Sequence, residues 1–274
     1  MLARMDSPSP LSGTTRNGVP FVAIPPESQT DSTPVVIAWH LMDPPRTEAA
    51  MAAALPLAGL DAWKVYLGLP MSGGRMPAGG AEELMGLAMQ DAPLLVHGLI
   101  FRQSVAEFDD AFDELRTHLG IAETAPVGLL GGSMGSAIAA GVLASGTSGA
   151  RAAVLVSPML QLRPMIDEVS AMFGASYAWT PPADKIAARM DFVARAPEVA
   201  ASGCPVRIVV GADDLPAFID AAAAFAEETG ADVRIVEGAG HALAEEPGIE
   251  PAPQSAAARE FDALATEWLR QHLT

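Results

Sequence analysis

The chain holds a single cysteine, Cys204, among 274 residues. An internal disulfide and a cysteine-based zinc cluster are therefore both excluded. Basic residues are also scarce: 16 Lys and Arg stand against 33 Asp and Glu, for a formal charge of −17. A surface of that sign repels phosphate backbones and anionic membranes, so neither nucleic acid nor membrane is an expected partner. No uninterrupted apolar run approaches the roughly 18 residues that span a bilayer. Residues 1–10 carry no apolar segment of the signal-peptide kind, and the expected compartment is the cytoplasm. Only two tyrosines and four tryptophans are present, beside 25 glycines and 23 prolines. That balance suits close-packed helices on a sheet better than an all-β sandwich.

What is present is a chain with half of its residues hydrophobic, enough for a sizeable core. Residues 1–12 read as a flexible tail and 13–274 as one domain. Asn17-Gly18, between the segments 13–16 and 19–24, is a two-residue hairpin signal. After it, strand and helix patterns alternate. Strands are expected at 35–39, 63–67, 127–130, 154–157, 206–210 and 233–236, the last three of the buried type. Helices are expected at 48–57, 105–119, 136–144, 221–228 and 261–273. The alternation implies right-handed crossovers and a mostly parallel central sheet with helices on both faces. The connection from about 158 to 203 is too long for an ordinary crossover. Leu162, Met165, Ile166, Val169 and Phe173 share one helical face there, which predicts a small helical cap insertion over an apolar site. Met165, Phe173 and Trp179 are its expected substrate contacts.

The chemistry-bearing string is Gly131-Gly132-Ser133-Met134-Gly135, a G-x-S-x-G pattern. A serine at the tip of a sharp turn holds its hydroxyl clear of the backbone, and the glycines keep Cβ atoms out of the turn. The pattern lies between an apolar strand and a helix of small residues, the setting it requires. The following helix directs its N-terminal N–H groups toward the place where negative charge develops in acyl transfer. Of five histidines, His241 in Gly238-Ala239-Gly240-His241 follows a strand and has small neighbours, so it is the expected base. Asp213 and Asp214 end another strand, and either could orient the histidine in the chain order Ser, Asp, His.

These residues together resemble the α/β-hydrolase family, in its serine esterase and dienelactone-hydrolase-like branch, over residues 13–273. The resemblance implies an α/β-hydrolase fold and carboxylic ester hydrolysis on Ser133, without metal or organic cofactor. It places the acid at the end of a G-x-x-D pattern, which favours Asp214 over Asp213. It also implies an oxyanion hole built from the N–H of Met134 and a second N–H after the strand ending at Trp39. There the chain departs from the family pattern, since His40 is followed by Leu41 rather than glycine. The second donor is then Leu41 or Met42, and His40 is expected to be structural. The expected substrate is a small-molecule ester with an apolar acyl or alcohol group. A serine peptidase, an acyl thioesterase docking its carrier near Arg189 and Arg195, and a non-catalytic ligand-binding relative are the alternatives. Against the peptidase, the sequence shows no obvious acidic cluster placed to read a substrate amine.

Overall fold

Strands covered on both faces must be apolar on both faces, and the central strands are. In β3 (Val35–Trp39) the side chains of Val35, Ile37 and Trp39 enter one core, while Val36 and Ala38 enter the other. The same alternation runs through β4 (Trp63–Leu67), β5 (Val127–Gly132), β6 (Ala150–Val156) and β7 (Val206–Gly211). The computed structural model describes residues 9–274. It places these strands with β1 (Leu11–Thr14), β2 (Pro20–Ile24) and β8 (Asp232–Val236) in one sheet of order β1-β2-β4-β3-β5-β6-β7-β8. β2 pairs antiparallel with β1 and β4, and every later pairing is parallel. A parallel pair brings both strand ends to the same edge, so the loops after β3, β5, β7 and β8 gather at one rim.

Helices α1 (Glu48–Ala54) and α9 (Ala256–Leu273) cover one face with Met51, Leu55, Phe261 and Leu269. The opposite face is covered by α3 (Gly98–Leu119), α4 (Met134–Ser145) and α8 (Pro216–Thr229), through residues such as Phe108, Ile138 and Phe225.

Several expectations are corrected. β1 starts at Leu11, inside the segment read as tail, and residues 1–8 of that tail lie outside the described residues. The hairpin loop is longer than two residues: Thr15 N–H donates to the Val19 carbonyl, and Gly18 turns the chain at φ 86°. β8 is not buried. It is the last strand of the sheet, paired on one side only, and Ile235 is solvent-exposed. The largest omission is α2 (Gly80–Asp91), which runs through a π-helical turn at 92–97 into α3. Pro93 and Gly98 read as helix breakers, yet Pro93 sits in a first turn capped by the Asp91 side chain, where its missing N–H costs nothing. By length and composition, 80–119 is the one helical stretch among the described residues apolar enough to cross a membrane.

The long connection folds into α5 (Leu162–Met172), α6 (Pro181–Arg189) and α7 (Ala196–Ala200). α5 packs on α8 and on the 92–97 turn, α6 on that same turn, and α7 between α4 and α8. The apolar stripe of α5 reaches the core through Leu162, Met165 and Ile166. Tyr177 fastens the insertion to the helical rod by donating its hydroxyl to Asp91 Oδ1 at 2.8 Å, and the same carboxylate oxygen accepts from Leu94 N–H. Burial, and then the Asp91 carboxylate, push the Tyr177 hydroxyl up to about 12. Asp91→Ala removes both bonds at once. It should lower global stability by about 1–2 kcal/mol and raise amide hydrogen exchange at 173–180 by about tenfold. Unchanged protection of that segment in the variant would show that the insertion is held by packing alone.

Candidate active site

Sterics dictate the turn at Ser133. A Cβ on Gly131 would lie 2.2 Å from the Gly135 carbonyl oxygen, and one on Gly135 would lie 2.4 Å from the Trp39 carbonyl oxygen. Only glycine fits at both, so β5, the turn and α4 close on each other and on β3. Ser133 itself is held at φ 48°, ψ −111°, a conformation that side chains disfavour. Its N–H donates to the Val156 carbonyl, its carbonyl accepts from Met159 N–H, and Ser136 Oγ donates to the Gly131 carbonyl at 2.6 Å.

Ser133 Oγ lies 2.9 Å from His241 Nε2. On the other side of the ring, His241 Nδ1 lies 2.9 Å and 3.0 Å from the two oxygens of Asp214. The Asp214 side chain has no exposure and also accepts the Leu215 N–H. The carboxylate therefore fixes Nδ1–H as the donor and leaves Nε2 to accept from the serine hydroxyl. The Phe218 ring, 4.1 Å from the imidazole centroid to centroid, limits its rotation. Asp213 is not at this position; its N–H donates to the Ala239 carbonyl, tying the acid loop to the histidine loop.

His40 is buried and uses both ring nitrogens. Nδ1 is 2.6 Å from the Leu41 carbonyl oxygen, and Nε2 accepts the Leu69 N–H at 3.1 Å. It makes no contact with Ser133 of the kind His241 makes. The Leu41 carbonyl is thereby turned toward His40, and in the trans peptide that follows, Met42 N–H points the opposite way. Met134 opens α4, so its N–H has no partner inside the helix. Leu41 N, Met42 N and Met134 N carry no backbone hydrogen bond among the described residues.

The expected apolar contacts are not all brought to the site. Met165 is buried in the core face of α5. Phe173 is 84% exposed because α5 has already ended: its N–H closes on the Ser170 and Ala171 carbonyls, and the apolar stripe stops there. Trp179 stacks under the Arg163 guanidinium at 3.9 Å and donates its indole N–H to Asp167. The element of the insertion that does reach the acid loop is Glu168, which accepts the Ala217 N–H beside Phe218.

Asp43 was not anticipated. Its Oδ2 lies 3.7 Å from His241 Nε2, on the open side of the imidazole. Its position just after His40-Leu41-Met42 was the available signal, since the loop after β3 abuts the loop after β8. No group of three or more His, Cys, Asp or Glu residues is placed to share a metal ion among the described residues. Cys204 lies elsewhere, and burial pushes its thiol up to about 12, far from a reactive thiolate.

A family model described as "Serine aminopeptidase, S33" matches residues 97–202, which include the elbow but neither Asp214 nor His241. Among solved structures, the dienelactone hydrolase of Anabaena variabilis superposes with a TM-score of 0.59 at 18% identity, over 97% of this chain and 99% of that one. A cold-adapted esterase from an Arctic intertidal metagenomic library gives 0.60 at 20% identity, over 97% and 93%. The acylaminoacyl peptidase of Pyrococcus horikoshii gives 0.64 at 13% identity, over 96% of this chain but only 42% of that one. The chain has the α/β-hydrolase fold. No sequence among curated proteins matches it.

Within the hydrolase fold, the 2.6 Å bond from His40 makes a prediction of its own. Burial lowers His40 from 6.5 to about 4. Between those values the unfolded chain binds a proton that the folded chain refuses. The stability involved is fully present above pH 6.5 and is lost as pH falls toward 4, on the order of 3 kcal/mol over the interval. His97, also lowered by burial, contributes in the same direction, and Asp262, raised by burial, in the opposite one. His40→Gln leaves both of those in place. Urea unfolding at pH 7 and pH 4.5 should find the variant less stable at pH 7 and less sensitive to the change. An equal loss in both proteins would show that His40 is not the source.

Proposed function

We propose that this hydrolase cleaves a small carboxylic ester through an acyl-enzyme on Ser133. The observation that carries the proposal is the unbroken run of hydrogen bonds from Ser133 Oγ through His241 to Asp214. His241 Nε2 takes the hydroxyl proton as Ser133 Oγ adds to the ester carbonyl carbon. Asp214 stabilises the imidazolium that results. The oxyanion accepts hydrogen bonds from Met134 N–H and from Met42 N–H, the latter favoured over Leu41 because His40 fixes the Leu41 carbonyl. The C–O bond to the leaving group breaks, and the alkoxide takes the proton from Nε2. Water then gives a proton to Nε2 and its oxygen to the acyl carbon, Ser133 recovers its proton, and the acid leaves.

The ester reading is supported by the likeness to a dienelactone hydrolase and an esterase whose lengths this chain matches. The peptidase reading has the family model's description and the Pyrococcus neighbour behind it, but the chain spans well under half of that peptidase. For a carrier-bound thioester, the basic patch that would dock an acidic partner is weakened. The Arg195 guanidinium is already paired with Glu198 at 2.7 Å.

A fluorophosphonate probe should label the wild-type chain and leave Ser133→Ala unlabelled. Turnover of p-nitrophenyl esters should fall on the order of 10⁴-fold in Asp214→Asn, while Asp213→Asn stays within about threefold of wild type. Equal labelling of Ser133→Ala would overturn the proposed nucleophile, and a larger loss at Asp213 would overturn the proposed acid. Aminoacyl amides assayed beside the esters decide between esterase and peptidase.

A further inference from the structure

Asp43 is a carboxylate with no assigned task at the most sensitive place in the molecule. Its Oδ2 is 3.7 Å from His241 Nε2, and that nitrogen is 2.9 Å from Ser133 Oγ. Nε2 is the atom that delivers a proton to the departing group, so the substituents of that group pass beside Asp43. The carboxylate cannot serve as the orienting acid, because Nδ1 is already held by Asp214 and 3.7 Å is beyond hydrogen-bond reach.

Its position is fixed from both sides. Arg46 Nε donates to the Met42 carbonyl at 2.9 Å, Leu243 N–H to the Pro44 carbonyl at 2.9 Å, and Arg46 N–H to the Gly248 carbonyl at 2.7 Å. The two neighbours of Asp43 are thus tied down, one of them directly to the loop that carries His241. Arg46, the nearest cation in the sequence, does not neutralise it. That guanidinium is engaged by both Glu246 oxygens at 2.7 Å and 2.9 Å. Among the described residues, no hydrogen bond or Lys or Arg ion pair reaches the Asp43 side chain, which is 54% exposed.

We infer that Asp43 is a specificity-determining residue that selects a positively charged leaving group, an ammonium-bearing alcohol or thiol, at the serine site. The inference rests on the serine-hydrolase reading above and names the substrate class that reading leaves open. A unit charge held about 4 Å from a fixed carboxylate at a half-exposed site is worth about fivefold in affinity, and more as the site dries on substrate binding. The excess of 33 acidic over 16 basic residues adds a field of the same sign, attracting cations and repelling anionic esters.

The test compares butyrylthiocholine with its neutral isostere, the 3,3-dimethylbutyl thioester of butyric acid. In both, the C–S bond breaks, the thiolate takes the proton from Nε2, and water supplies the oxygen of the released butyrate. Wild type should favour the cationic thioester in kcat/KM by about fivefold at low salt, with the preference shrinking as salt is added. Asp43→Asn should bring the two substrates near parity, and Asp43→Glu should retain part of the preference. A labelled wild-type enzyme that prefers the neutral isostere, or turns over neither, overturns the cation site and leaves the hydrolase reading standing. The same holds if Asp43→Asn slows both substrates equally, which would mark a positioning effect on His241. Absence of both turnover and fluorophosphonate labelling overturns the hydrolase reading, and the cation site with it.

Discussion

Ser133 sits in a backbone conformation that a side chain disfavours, φ 48° and ψ −111°, and much of the surrounding structure serves to hold it there. Strain of this kind costs about 1–3 kcal/mol and persists only where neighbouring contacts over-determine it. Here the contacts can be named. The Ser133 N–H is bound by the end of β6 through Val156, and its carbonyl by Met159. Ser136 Oγ bridges the Gly131 and Val156 carbonyls, and Gly135 passes against the Trp39 carbonyl with no room for a Cβ. The turn is therefore braced by both strands that flank β5. The order of the sheet, with β3 and β6 on either side of β5, is what places those braces.

The second constraint is that an imidazole from the far end of the chain, His241, must reach this hydroxyl. Parallel pairing brings the loops after β3, β5, β7 and β8 to one rim, but hydrogen bonds between loops set the distances. Asp213 N–H on the Ala239 carbonyl joins acid loop to histidine loop, and Arg46 and Leu243 join the histidine loop to the loop after β3. The long connection contributes Met159 N–H to the Ser133 carbonyl and Glu168, which accepts the Ala217 N–H at the start of α8 next to Phe218. The geometry around Ser133 and His241 is thus held by backbone carbonyls and one arginine more than by the apolar stripe of α5.

The central strands, the elbow and the positions of His241 and the acid after β7 were legible in the sequence because each is a local signal. Apolar runs of four to six residues mark buried strands, and G-x-S-x-G between a strand and a helix marks the turn. The choice of Asp214 over Asp213 came from the family resemblance rather than from local physics; it is Asp214 that lies against His241 Nδ1. Other features depend on contacts across the chain. The 80–119 rod contains Pro93 and Gly98, whose tolerance follows from the Asp91 cap and the close packing of Ile186 against Gly98. The exposed end of α5 at Phe173 was obscured because an apolar residue one position past a helix end keeps the periodicity while leaving the face. Asp43 follows directly on His40-Leu41-Met42, but its nearness to His241, 198 positions away, is a distance that only the folded chain sets.

Two carboxylates now flank one imidazole, and their surroundings separate their roles. Asp214 is fully buried, accepts a backbone N–H, and is joined to Nδ1 by short hydrogen bonds; in that setting a carboxylate orients the ring and stabilises its charged form. Asp43 stands half-exposed beyond hydrogen-bond reach of Nε2, so it can hold neither the ring nor its proton. What remains to it is the field it lays over the path of the departing group. A carboxylate there is costly for an enzyme acting on acidic esters and neutral for one acting on uncharged ones. Only for a cationic substrate does it strengthen binding at the point where the proton is handed over. The same ring thus reads two charges of one sign for two purposes, one set by burial and the other by access.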